Sequence, residues 1–225
     1  MSRSITPYPS AGTVDVWRVD LAVDCDADID GDIAVLSHNE RVRLELRHGT
    51  VRGRFARAHA ALRRIVATYE GVAAAAVEVS TPYGSGPQTR TGLELSLSHS
   101  HDIALVAVAA TPVGVDVESL FVAERVGGDL VDMAEMSLSD RELEILSESA
   151  PHLRPVAWLR SWTRKEAWMK ANGSGLADQS LPEIDVSRTT LGGHTLVDLT
   201  PAAGYVGAVA LAHPRVSVNW KELRT

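Results

Sequence analysis

The sequence predicts an α+β fold made of two similar halves, and three features carry that expectation. Two long stretches, 50–70 and about 156–171, place apolar residues at three- and four-residue steps, the period of an amphipathic helix. Around them lie short runs that alternate at every second position or are wholly apolar, the marks of half-buried and buried strands. The order helix-then-hairpin occurs twice, and IALVAVA (103–109) and YVGAVALA (205–212) read as one buried strand used in each half. The halves meet near residue 112, which gives domains 1–112 and 113–225.

The bulk properties bound what such a fold does. A chain of 225 residues, 45% hydrophobic, is long enough to bury a substantial core. One cysteine, Cys25, excludes an internal disulfide framework and a cysteine-rich zinc site, and it suits a reducing cytoplasm. The first dozen residues lack the apolar core of a signal peptide, and no run approaches a membrane span. The net charge of −7 argues against nucleic acid as a partner, yet residues 41–64 hold eight arginines and one glutamate. Arginine forks match phosphate geometry, so the cluster suits one small polyanion.

Taken in order, VDVWRVDL (14–21) alternates as a strand, and DCDADIDGD (24–32) is an acidic loop. It imitates a calcium loop at Asp26, Asp28, Asp30 and Gly31, but the closing bidentate glutamate would fall on Ser37, which excludes that reading. In 50–70, Val51, Phe55, Ala58, Leu62, Ile65 and Tyr69 form the apolar stripe and Gly71 the C-cap, while Arg52, Arg54, Arg57, Arg63 and Arg64 read mostly as a solvated basic face. LELSLS (93–98), a polar turn SHSHD (98–102), IALVAVAA (103–110) and GVDVE (114–118) together predict an antiparallel meander. Ser139 and Glu142 have capping-box spacing, Pro151 and Pro155 bracket a break, and the second long helix ends at Gly173 and Gly175. Strands follow near 183–188, 194–199, 205–212 and 216–220, with Gly192-Gly193 as the hairpin turn between the first two.

Three stretches carry chemistry. In GVDVE the valines take one face, so Asp116 and Glu118 share the other, about 6–7 Å apart along the strand. Like charges that close need a cation or a solvated edge. In WTRKEAWMK (162–170), Glu166 falls on a stripe with Leu159, Trp162 and Met169. A carboxylate there needs a partner: Lys170, one turn on, or a magnesium ion shared with Asp116 and Glu118. In SLSHSH (96–101), His99 and His101 lack the companions of a zinc site and Ser98 lacks a nucleophile elbow, which leaves a plain polar turn or a phosphate-binding one.

Together SLSHS (96–100), GVDVES (114–119) and WTRKEAWMKANGSGL (162–176) resemble, in order and spacing, the three motifs of 4′-phosphopantetheinyl transferases of the larger surfactin-synthetase-activating type. Those motifs run roughly NxSHS, G(I/V)DxE and WxxKEAxxKxxGxGL, and the arginine-rich ERVRLELR (40–47) also fits. The resemblance implies a pseudo-dimer of two α+β halves, each a small antiparallel sheet packed on a long helix, with the active site at their interface. It implies magnesium-dependent transfer of the phosphopantetheine arm of coenzyme A to a serine of an apo acyl or peptidyl carrier protein, releasing 3′,5′-ADP, by a monomer. It implies Asp116, Glu118 and Glu166 as metal ligands, with Glu166 or a metal-bound water as base. Lys170 is implied on the diphosphate, Lys165 being a weaker candidate. Arg43, Ser98 and His99 are implied at the nucleotide end, together with the position of Gly86 and Pro87.

Two departures stand out. Ser96 replaces the asparagine of NxSHS, and Gly86 stands where the family has a basic residue before Pro87, unless Arg90 supplies that contact. Weaker coenzyme A binding follows from the second. It also keeps open a non-catalytic module that binds carrier protein or coenzyme A on the same fold, and a magnesium-dependent phosphohydrolase is a third reading.

Overall fold

The computed structural model describes residues 5–22, 29–80, 87–121, 130–174 and 180–223. Gly86, Gly175, Cys25 and the start of the acidic loop lie outside the described residues. Among the described residues the helices are α1 (Asp30–Ile33), α2 (His38–Glu45), α3 (Gly49–Glu70), α4 (Leu130–Ser137), α5 (Asp140–Glu148) and α6 (Arg154–Ala171). The strands are β1 (Thr13–Asp20), β2 (Val79–Ser80), β3 (Gln88–Thr89), β4 (Glu94–Ser100), β5 (Ile103–Ala109), β6 (Val113–Ser119), β7 (Thr190–Leu191), β8 (His194–Leu199), β9 (Tyr205–Leu211) and β10 (Ser217–Glu222).

The strands form two sheets, ordered β10-β1-β5-β4-β3-β2 and β6-β9-β8-β7. Both alternate strictly, and alternation sorts their side chains into three layers of core. Val19, Ala104, Val106 and Val108 face α3, whose Ala58, Leu62, Ile65 and Tyr69 cover them. Val14, Val16, Leu105 and Ala107 face the second sheet, where they meet Val113, Val115, Val117, Val209 and Leu211. Ala208 and Ala210 face α6 through Ala167, Met169 and Ala171. The stack is helix, sheet, sheet, helix, and β5 and β9 are interior strands of their sheets.

Several expectations change here. The meander does not form: β4 and β5 pair, but β6 leaves them and pairs with β9, so GVDVE opens the second sheet. The polar turn is shorter than SHSHD, because β4 runs through Ser98, His99 and Ser100, and His101 turns the chain at φ +50°. Pro155 does not break a helix; it lies in the first turn of α6, where a missing N–H costs nothing. No strand forms over 183–188, where a 3₁₀ turn (Leu181–Glu183) leads into irregular chain, and Gly192-Gly193, both at positive φ, join β7 to β8. The two-sheet division departs from a cut at residue 112 at one place: β10 returns to the first sheet and runs parallel to β1.

One glycine positions the site. A Cβ built on Gly114 would lie 1.9 Å from the carbonyl oxygen of Ala167 and 2.6 Å from the Ala171 nitrogen. The backbones of β6 and α6 therefore touch, and the residues that follow Gly114 on that face point along the helix. Gly114→Ala is expected to separate them and to cost about 1–3 kcal/mol or more in unfolding free energy, read as a lowered urea midpoint.

Candidate active site

Strand β6 is the edge of its sheet, and β4 covers that edge with hydroxyls rather than with a backbone ladder. Ser96, Ser98 and Ser100 alternate onto one face. Ser96 Oγ accepts from the Val115 N–H at 3.0 Å, Ser98 Oγ donates to Asp116 Oδ1 at 2.7 Å, and Ser100 Oγ donates to Glu118 Oε2 at 2.8 Å while accepting from the Ser119 N–H at 3.1 Å. The serine that stands in for the motif asparagine thus satisfies a β6 amide.

Asp116 and Glu166 meet at Lys170 where this seam reaches the last turns of α6, and Glu118 is close enough to feel the charge of both. Lys170 Nζ lies 2.6 Å from Asp116 Oδ1, 3.3 Å from the Val115 carbonyl oxygen and 4.0 Å from Glu166 Oε2. The partner expected one turn away is therefore the weaker contact, and Asp116 takes the ammonium. Burial raises the Glu118 carboxyl to about 7 despite the Ser100 hydrogen bond, and the charge of Asp116 pushes the same way. Burial likewise raises Glu166, with Lys170 opposing and Asp116 reinforcing the shift. Asp116 Oδ2 and Glu166 Oε1 are buried and accept no hydrogen bond. Hard oxygen donors with lone pairs facing nothing suit a divalent cation such as magnesium, so the residues fit one, although no cluster of three metal-ligating groups is assembled among the described residues.

Lys170 and His99 open onto a cleft of about 960 Å³, walled by α2, α3, Pro87, Arg90, β4 and the end of α6. Arg43 lines it, its guanidinium 5.3 Å from the centre of the Phe55 ring. His99 is exposed to the cleft, whose walls withdraw it from bulk water. That desolvation, with the positive charges of His59, Lys170, Arg47 and Arg54, lowers its pKa.

Lys165 does not reach the cleft. It is fully buried, 2.7 Å from Glu142 Oε2, and it donates to the carbonyls of Leu181 and Ile184. Glu142 also closes the capping box of α5. Lys165 is therefore a fastener between α5, α6 and the 181–184 turn. Nor are the α3 arginines a solvated face: Arg54 pairs with Asp102, Arg57 and Arg64 with Asp32, and Arg63 with Glu40. The acidic partners come from other segments, which a helical pattern does not reveal. Glu40 and His59, 3.1 Å apart and lining the cleft, went unassigned; the Ser37–Glu40 capping box was the readable signal.

The sequence has known relatives. A family model described as the 4′-phosphopantetheinyl transferase superfamily matches residues 112–212. The 4′-phosphopantetheinyl transferase HetI of Nostoc sp. (strain PCC 7120 / SAG 25.82 / UTEX 2576) is 31% identical over 214 residues, 88% of this chain and 87% of its own. The chain belongs to the 4′-phosphopantetheinyl transferase superfamily. It is a transferase. A second superfamily relative, the holo-[acyl-carrier-protein] synthase of Streptococcus equi subsp. equi (strain 4047), is 24% identical over 105 residues, 42% of this chain and 89% of its own. Among the described residues no helix of this superfamily member is long and apolar enough to cross a membrane.

Two outcomes are expected of the buried charges. Lys165→Met strands the Glu142 carboxylate and is expected to cost about 3–5 kcal/mol in urea unfolding, with Lys165→Met/Glu142→Gln recovering part of it. Glu40 is held at about 2, below its usual 4.5: burial alone would raise it, but hydrogen bonds from His59 and Ser37 prevail. Its ionised form stabilises the fold above pH 4.5, and that contribution, about 3 kcal/mol, is lost as pH falls toward 2. Glu40→Gln is expected to flatten the fall in urea midpoint over that window.

Proposed function

We propose that the chain transfers the phosphopantetheine arm of coenzyme A to a serine hydroxyl of an apo carrier protein, releasing 3′,5′-ADP, as a magnesium-dependent enzyme of the larger surfactin-synthetase-activating type. The observation that carries this reading is Lys170, which lines the cleft and contacts both Asp116 and Glu166, each with one buried carboxylate oxygen that accepts no hydrogen bond, while Glu118 is close enough to feel the charge of both acids. The pseudo-dimeric arrangement, with the site between two α+β halves, is supported by the two sheets and by a synthase relative that aligns over nearly all its own length with less than half of this chain. The single cysteine supports a cytoplasmic setting.

The chemistry assigns each group a task. Asp116, Glu118 and Glu166 hold the magnesium ion, which when bound neutralises diphosphate charge that repels an attacking oxygen. His99 and Arg43 bind the 3′-phosphate and adenosine end, with Pro87 alongside, while Ser98 serves the site by holding Asp116. The carrier serine gives its proton to Glu166. Its Oγ bonds to the β-phosphorus, the bond from that phosphorus to the bridging oxygen breaks, and 3′,5′-ADP departs carrying the electron pair. Lys170 sits beside the diphosphate and offsets the charge on the leaving oxygen.

Intact-protein mass spectrometry tests this. With coenzyme A and magnesium, apo carrier proteins are expected to gain the mass of one phosphopantetheine arm, and a chelator is expected to abolish the gain. Glu166→Ala is expected to lower the rate about 10²–10⁴-fold, the usual range for a lost acid–base group. Unchanged modification by Asp116→Ala or Glu166→Ala would sink the mechanism, and carrier binding without any mass gain would make the chain a docking module.

A further inference from the structure

Lys170 and a divalent cation are rival partners for the same carboxylate. Asp116 is buried, and its Oδ1 already accepts from Ser98 Oγ at 2.7 Å and from Lys170 Nζ at 2.6 Å. Lys170 is less constrained: its side chain is 31% exposed and faces the cleft. A buried carboxylate holds a cation tightly, since leaving it unpaired is costly. A doubly charged ion bound through Asp116 Oδ2, with an ammonium on Oδ1 of the same carboxylate, meets strong repulsion in a poorly screened site.

We propose that Lys170 is a built-in counter-ion that keeps the carboxylate site closed to a divalent cation until a diphosphate enters the cleft and draws the ammonium off Asp116. This rests on the magnesium reading above. The lysine stem is flexible enough for its head to change partners while its Cα stays on α6. A diphosphate in the cleft offers the ammonium an anion on the solvent side, and the Asp116 carboxylate, still held by Ser98, is then free of its counter-ion. Metal and coenzyme A consequently bind with positive coupling, and by linkage each tightens the other equally. The idle protein holds little metal, and the cation joins when its substrate is in place.

The probe is Mn²⁺, titrated into the full chain without carrier protein, with free ion read by electron paramagnetic resonance. The unsubstituted protein, Lys170→Met and Lys170→Gln are each measured with and without coenzyme A. Without coenzyme A, both variants are expected to bind Mn²⁺ about tenfold more tightly than the unsubstituted protein, within the usual range of coupling between sites. The gain in affinity on adding coenzyme A is expected to shrink by a similar factor. Thermal melts of the unsubstituted protein give an arm that needs no variant: Mn²⁺ alone is expected to leave Tm unchanged, and Mn²⁺ with coenzyme A to raise it above coenzyme A alone. Equal affinities in all three proteins, or full stabilisation by Mn²⁺ alone, overturn the counter-ion role while leaving the metal site standing. No Mn²⁺ binding in any protein, with or without coenzyme A, overturns the magnesium reading as well.

Discussion

Three serine hydroxyls join two sheets that share no backbone ladder, and the site exists because of them. An exposed strand edge presents unpaired amides, and β6 has one on the side away from β9. Covering it with another strand would have filled the space where the carboxylates sit. A hydroxyl satisfies an amide and also donates to an acid, so Ser100 serves Ser119 and Glu118 at once. Ser96 and Ser98 divide the same two duties between Val115 and Asp116. The seam holds the sheets together and sets the carboxylates in place with the same atoms.

Against that seam, α6 comes as close as backbone permits, because Gly114 removes the side chain that would hold it off. The approach fixes two lysines with opposite fates. Lys165 and Lys170 are five residues apart on one helix, so they point about 140° away from each other. One turns into the core and meets Glu142; the other turns along β6 toward the cleft and meets Asp116. The first is wholly enclosed, and its pairing is a matter of stability. The second is part-exposed, and its pairing leaves room for exchange.

Much of this was legible in the residues. Period-two and period-3.6 patterns located α3, α6, β1, β5, β8 and β9 to within a few positions, since those elements are defined by which face they bury. Alternation puts Asp116 and Glu118 on one face and a helical step sets Glu166 near Lys170, while a site shared by all three is what the resemblance implies. Patterns do not say what an element is buried against. Hence β6 changed sheets unforeseen, the α3 arginines found acids on other elements, and the burial of Lys165 against Glu142 was not apparent. Charge partners more than thirty residues away, such as Asp32 for Arg64 or Asp102 for Arg54, belong to the fold and not to any local run.

The return of β10 to lie beside β1 binds the molecule in time as well as space. Thr13 pairs with Ser217 and Arg18 with Glu222, near opposite ends of the sequence. Such a contact closes the longest loop in the chain, and loops of that length close late. During synthesis β1 is made some two hundred residues before the strand that covers its edge. The exposed Arg18 on β1, later paired with Glu222, places a charge on that waiting edge, which discourages chance pairing with a neighbouring nascent chain. The first strand of the sheet is thus completed only by residues some two hundred positions further along, and the N-terminal sheet is whole only once those residues exist.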